Sequence, residues 1–264
     1  MLWQEITSVE FARSVKEDGV CLLPIGCLER HSDHLPLGTD LYIAHEQSRL
    51  AAEIEPAIVF PQYYFGQIYE ARCYPGTITL SPDLLLKVLG ELVDEIARNG
   101  LKKIILVNGH GGNRHMLRYF CQTLLASRKD YQVYFYEGRY SETQLEEINA
   151  FKETDFGEHA EEEETSMILA MNPAWAKMDQ IGEPARPLGR MTDHLDNLYN
   201  GFHWYADHPE HYSGDARPAT AEKGRRLFEM KVENLVNFIK QVKADEVMPA
   251  LGQEFYNRVD NLMK

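Results

Sequence analysis

The residues able to do chemistry in this chain gather first in residues 22–44, LLPIGCLERHSDHLPLGTDLYIA. Glu29, His31, Asp33, His34 and Asp40 fall there within twelve positions. All five are side-chain types that ligate divalent metals. Glu29 and His31 are two apart, so an extended backbone projects both to one face. Glu, His and Asp together form the ligand set of zinc and manganese sites. Asp40 has two readings, since it stands where a helix is about to start. A carboxylate there either caps the helix or serves as a ligand, and the helix dipole favours it in both cases.

Two further motifs carry chemistry. NGHGGN at 108–113 follows an apolar run. A glycine-rich turn of this kind can cradle a phosphate on backbone N–H groups. It lacks the spacing G-x-G-x-x-G and the lysine of a P-loop, and a phosphate turn has no use for His110 at its centre. A ligating or catalytic histidine is the favoured reading. The third motif is HAEEEETS at 159–166. On a helix over about 159–171, Ala160, Glu164, Met167, Ile168 and Met171 share one side. Glu164 then faces the core, which is costly for a carboxylate unless it is paired or metal-bound. Glu161, Glu162 and Glu163 read as a solvated face.

These motifs need elements to hold them. Helical spacing covers 8–17, 41–54, 83–98, 112–128 and the long stretch 219–243, with Ser81-Pro82-Asp83 and Gly100 bounding the third. Strands are predicted at 20–25, 57–61, 102–109 and 131–137, and 172–218 is looser. Alternating strands and helices imply a mostly parallel sheet with helices on both faces. Sites in such folds form at the carboxyl ends of strands, where both Gly26–Asp40 and Asn108–Asn113 lie.

The 264 residues are expected to form one domain over 1–264, with 44% hydrophobic residues to fill its core. Lys and Arg number 27 against 41 Asp and Glu, a formal charge of −14. That balance repels phosphate backbones and anionic lipid, which excludes nucleic acid and membrane as partners. The four cysteines, Cys21, Cys27, Cys73 and Cys121, show no CxxC spacing. Cys21 and Cys121 lie in apolar runs and read as small hydrophobes. The amphipathic, acidic N-terminus has no apolar signal region and no run reaches membrane-spanning length, so a cytoplasmic protein is expected.

Together, ERHSDHLPLGTD, NGHGGN and HAEEEETS resemble the signatures EQHGPHLPLGTD, NGHGGN and HAGxxETS of the creatininase (creatinine amidohydrolase) family. YPGTITLSP at 74–82 is similar to the family's FPGTISLSP, and GDARPATAEKG at 214–224 to its GDPxxATAEKG. The resemblance implies an α/β three-layer sandwich with a mostly parallel central sheet. It implies an enzyme, a metal-dependent hydrolase of a small cyclic amide or other C–N bond, often assembled as a homo-hexamer. Two divalent ions per chain are implied, zinc or manganese first and iron as a further option, which would polarise a carbonyl and activate water.

By position, Glu29, Asp40 and His110 would hold one ion, and His31, Asp40 and a further carboxylate the other. His159 corresponds to the histidine that shuttles a proton to the leaving group. Creatininase proper has a glutamate two residues after the histidine of NGH, where this chain has Gly112, so the further carboxylate is expected to be Glu164. Arg30 replaces the usual glutamine and Ser32-Asp33 replaces Gly-Pro. These changes favour a polar, polyhydroxylated substrate, with second-shell or interface roles as the alternative. Substrate-facing candidates are Arg30, Asp33, His34, Tyr69, Glu70, Gly111 and Gly112. Tyr63, Tyr64, Gln67 and Arg72 are expected to overhang the site beside Tyr69 and Glu70. The loop 193–215 is expected to cover the site or an interface, with His194, His203, His208 and His211 as hydrogen-bonding histidines. Alternative functions are ring opening of an inosose, deformylation of a pyrimidine nucleotide, or inert binding of a small molecule.

Overall fold

Four apolar runs build the sheet of this computed structural model, which describes residues 1–195 and 198–263. They are β1 (Val20–Ile25), β2 (Ile58–Val59), β3 (Lys103–Asn108) and β4 (Gln132–Tyr136), all parallel, in the order β2-β1-β3-β4. The helices are α1 (Ser8–Glu17), α2 (Thr39–Ile54), α3 (Pro82–Arg98), α4 (Asn113–Thr123), α5 (Glu142–Phe151), α6 (Glu162–Met171), α7 (His203–Asp207), α8 (Ala221–Ala244) and α9 (Val247–Val259).

Alternation along β1 makes the layers. Cys21, Leu23 and Ile25 pack with Leu89, Val93 and Ile96 of α3 and with Leu117 and Phe120 of α4. Val20 and Leu22 face the other way, onto Ala51 and Ala52 of α2 and Leu235, Val236 and Ile239 of α8. A parallel sheet must be covered on both faces, and this one is. The expected α/β three-layer arrangement is therefore the observed one.

The chain leaves β1 for β2 on one side and returns to β3 on the other. That reversal opens a crevice at the carboxyl ends of β1 and β3, where ligands bind in open α/β sheets. Gly109, just past β3, lets the turn press on the start of α2. A Cβ there would meet the Asp40 carbonyl oxygen at 2.5 Å and Ala44 Cβ at 2.7 Å. The first turn of α2, the loop after β1 and the turn after β3 thus meet at one point.

Some elements differ from the sequence reading. The helix expected at 159–171 begins only at Glu162, because Ala160 has a left-handed φ of 56°, which an α-helix cannot contain. Glu161 is the cap instead, accepting from the N–H groups of Glu163 and Glu164. Glu161 and Glu162 are buried rather than solvated. The helix expected to 128 stops at Thr123 and tightens into a 3-10 turn, Leu124–Ala126. Helices α5 and α9 lie in stretches given no element in the sequence reading, and α7 lies within the loose region. Within the 193–215 loop, Asp196 and Asn197 lie outside the described residues.

Candidate metal centre

The loop after β1 delivers Glu29 and His31, α2 delivers Asp40, and the turn after β3 delivers His110. All four side chains are buried. Asp40 sits in the first turn of α2 and divides its oxygens between two partners. Oδ2 lies 2.8 Å from His110 Nδ1, and Oδ1 lies 3.1 Å from His31 Nε2. Glu29 Oε1 lies 3.0 Å from His110 Nδ1, yet no donor reaches it in hydrogen-bond geometry. Glu164 Oε2, from the first turn of α6, comes within 3.9 Å of His31 Nε2. It is held by the N–H of Ala160 at 2.6 Å, which the left-handed backbone there aims back at the carboxylate.

Two ligand groups result among the described residues. Glu29, Asp40 and His110 converge with Cys27, and His31, Asp40 and Glu164 converge beside them. The five residues expected as ligands are therefore brought together. Cys27 was not foreseen as a member, although its two-residue offset from Glu29 is the same spacing that pairs Glu29 with His31. Its thiol donates to Asp40 Oδ2 at 3.3 Å. A third group joins His159 to Glu29 and His31.

Gly112 offers no carboxylate, and the one beside His31 and Asp40 comes from α6. A Cβ at 112 would meet His110 Nε2 at 2.5 Å and Gln67 Oε1 at 2.8 Å, so a side chain there would have to displace the ends of His110 and Gln67. His110 Nε2 itself has no hydrogen-bond partner.

The electrostatics are those of a place that wants cations. Burial opposes ionisation of Glu29, but the His110 imidazole outweighs it and holds the carboxyl well below the usual range. Burial also works against charge on His31, yet Asp40 and Glu29 raise it to about 10. His110 is likewise raised well above 6.5, against burial, by Cys27, Glu29 and Asp40. Glu164 is pushed up to about 8 by burial and by Asp40 and Glu161, with His31 opposing. Protons on imidazoles do here what metal ions do in a loaded site. Three carboxylates, two imidazoles and an unpaired buried oxygen on Glu29 fit divalent metal, so the residues present match the group that the resemblance implies.

His159 stands over this cluster. Its ring is 4.2 Å from that of His31 and 5.8 Å, edge-on, from Trp204. Nε2 lies 2.9 Å from the Arg30 carbonyl oxygen. A carbonyl only accepts, so Nε2 carries the proton and Nδ1 is the basic nitrogen. Burial and the neighbouring His31 depress its pKa to about 3, which keeps the ring neutral.

A cavity of about 730 Å³ opens over the centre, lined by Glu29, Asp40, His110, His159 and Glu164. Of the substrate-facing candidates, Tyr69, Glu70, Gly111 and Gly112 line it, as does Gln67. Arg30, Asp33 and His34 do not. Arg30 pairs with Asp33 at 3.0 Å and with Glu210 at 3.4 Å, and it stacks on Tyr74. His34 is buried behind the centre with Nε2 2.9 Å from Thr165 Oγ1. Each satisfies a neighbour rather than the cavity, in a loop whose Ser32 is left-handed. Tyr63 belongs to the core under β1, while Tyr64 and Arg72 are exposed and absent from the cavity wall. The roof comes from Tyr199, Gly201, His203 and Trp204, and Glu158, Arg114 and His115 complete the wall. Arg114, His115 and Glu158 were not singled out from sequence, since an exposed polar residue on a helix or loop carries no signal of what it faces. Of the loop histidines, His211 hydrogen-bonds Glu29, and His208 Nε2 lies 3.5 Å from the Glu158 carboxylate.

Fold and centre together define a class, three-layer α/β proteins with a buried carboxylate–imidazole cluster able to hold metal at the carboxyl ends of the sheet strands. Within it, the profile of the creatininase family, described as creatinine amidohydrolase, matches residues 4–239, and the chain belongs to that family. The family is one of hydrolases, and this chain is a hydrolase of that family. The chain is 24% identical to creatinine amidohydrolase of Pseudomonas putida, over 90% of this chain and 95% of that one. It is 29% identical to the mycofactocin precursor peptide peptidase of Mycobacterium ulcerans, over 83% of each. It is 23% identical to the 3-dehydro-scyllo-inosose hydrolase of Thermotoga maritima, over 91% of this chain and 83% of that one. A solved manganese form of creatininase superposes with a TM-score of 0.76 at 23% identity, covering 91% of this chain and 97% of the other, a likeness of fold.

Proposed function

We propose that this chain is a dinuclear metal-dependent hydrolase that cleaves the C–N bond of a small amide, cyclic or open. The observation that carries this reading is Asp40, whose two oxygens face two separate ligand groups at 2.8 and 3.1 Å. Glu29, Asp40 and His110 would hold one divalent ion, and His31, Asp40 and Glu164 the other. Bound there, the ions supply Lewis-acid polarisation of a carbonyl and acidify water. His159, with its Nε2 proton fixed on the Arg30 carbonyl, presents Nδ1 to take a proton and pass it to the leaving nitrogen. Trp204 and Tyr69 shield the reacting face from bulk water, and Gln67 and Glu70, joined at 2.7 Å, offer polar contacts to the substrate.

Creatinine itself is not the substrate we favour. Gly112 stands where creatininase proper carries its glutamate, and the cavity, about 730 Å³, is in the range that holds a drug-sized ligand. That volume favours, as a second reading, an amide within a short peptide. The argument for a polyhydroxylated ring rested on Arg30 and Asp33 and loses that support, since both turn from the cavity. We also expect a homo-oligomer, since Tyr199 (74% exposed) and Phe202 (72%) leave large apolar surface beside the cavity mouth.

The test is a turnover screen of manganese- and zinc-reconstituted protein against creatinine, cyclic imides, formamides, lactones, inososes and short peptides, with metal-free protein as control. Turnover of an amide only after metal addition supports the reading. Less than about one divalent ion per chain after reconstitution rejects the two-metal mechanism.

A further inference from the structure

One contact to the centre comes from the segment that roofs the cavity. His211 Nε2 lies 3.1 Å from Glu29 Oε2, and both residues are 1% exposed. An ionised carboxylate only accepts, so His211 donates. Oε2 is thereby occupied, and Oε1, which no donor satisfies, is the oxygen turned toward His110 Nδ1 at 3.0 Å. A free glutamate rotates about its side-chain bonds, and this hydrogen bond selects one orientation.

The backbone is strained to place it. His211 has a left-handed φ of 52°, and the Ser32 N–H that donates to its carbonyl oxygen at 3.2 Å belongs to a second left-handed residue, φ 54°. Non-glycine residues are disfavoured there and persist where the surroundings enforce them. The enforcement is visible on both sides. The Tyr74 hydroxyl donates to the Pro209 carbonyl, Arg30 reaches Glu210, and the His211 N–H donates to the His208 carbonyl at 3.0 Å. Upstream of this pinned stretch, Trp204 and His203 of α7 form the roof.

We infer that His211 is a positioning residue. It fixes the rotamer of Glu29 for metal, and through it the segment roofing the cavity also sets the geometry of a metal ligand. This rests on the two-metal reading and adds to it. Groups that orient a metal ligand are typically worth 10–100-fold in metal affinity.

The experiment titrates metal-free full-length protein with manganese or zinc against a competing chelator, for wild type, His211→Phe and His211→Gln. Phenylalanine keeps a ring without a donor, and glutamine keeps a donor at similar reach. Phenylalanine is expected to weaken one of the two ions about 10–100-fold, leaving the other unchanged, with glutamine recovering most of the loss. Melting of the metal-free variants separates folding from binding, and if Phe does not fold, His211→Asn, whose amide is too short to reach Glu29, takes its place. Wild-type affinity in both variants, or equal losses in both, overturns the assignment. A wild type that binds no metal overturns the two-metal reading and His211's role with it, a result distinct from either.

Discussion

Asp40 is the residue on which the centre turns, because among the described residues no other side chain reaches both groups through separate oxygens. Asp40→Asn keeps the size and loses the charge. It is expected to strip both ions and reduce turnover to background, with the circular dichroism spectrum unchanged; metal analysis beside an activity assay checks this. His159 acts on protons rather than on metal in our reading. His159→Ala should lower turnover roughly 10²–10⁴-fold with metal content unchanged. Loss of an ion from that variant would instead make His159 a ligand, as its place beside Glu29 and His31 allows. Glu164→Gln should loosen one ion only, since Glu164 belongs to one group. Retention of both ions with full turnover would leave Glu164 without a role.

At the scale of elements, the centre depends on how α6 starts. Four consecutive glutamates, Glu161 to Glu164, begin this helix, and its dipole and two lysines make that tolerable. Lys223 Nζ of α8 lies 2.6 Å from Glu162 Oε1, and Lys152 Nζ lies 2.8 Å from Glu163 Oε1. Glu161 bonds the helix's own N–H groups. With those three occupied, Glu164 is the member left to face the metal groups. Glu162 is almost wholly buried, so Lys223→Met should leave it without its cation and lower stability by roughly 3 kcal/mol. That is the low end for a broken buried pair, because the N–H groups of Glu153 and Thr154 still donate to Glu162. Denaturant unfolding reads this change, and an unaltered midpoint would show the pair to be idle.

For the whole molecule, the layers deliver three distant segments to one crevice, and metal is expected to tie them together. In metal-free protein, Glu164 keeps its proton to about 8 when folded, against 4.5 for an ordinary glutamate, so folded stability falls as pH rises between these values. The His31 contribution is full below about 6.5 and is lost as pH rises toward about 10. Both act in the same direction on the alkaline side. Metals bind the deprotonated ligands, so their stabilisation grows over the same interval. The melting temperature of metal-free protein should therefore fall from about pH 6.5 to 8, while the gap to loaded protein widens. At a hundredfold excess over Kd the gap corresponds to about 2.7 kcal/mol for each ion bound. Parallel melts with and without metal test both statements, and a constant gap contradicts them.

Sequence by itself determined the layers and most of the ligands. The apolar run at 20–25, helical spacing in 83–98 and the motifs around Glu29, Asp40 and His110 are local patterns, and local patterns survive reading one residue at a time. The periodicity argument reached Glu164 as well, although it placed Ala160 in a helix that the left-handed backbone excludes. Tertiary structure decided the rest. Whether Glu162 meets solvent or Lys223, whether Arg30 faces the cavity or Asp33 and Glu210, and whether Cys27 and His211 reach the metal ligands depend on chain segments far apart in sequence. Helix α5 was legible in principle, since Ser141 and Gln144 form a capping box at its start. The orientation of a side chain in a loop follows from which distant backbone and charge it meets. Spacing within one segment holds no record of that meeting, and so the residues proposed to hold metal could be singled out while their supports could not.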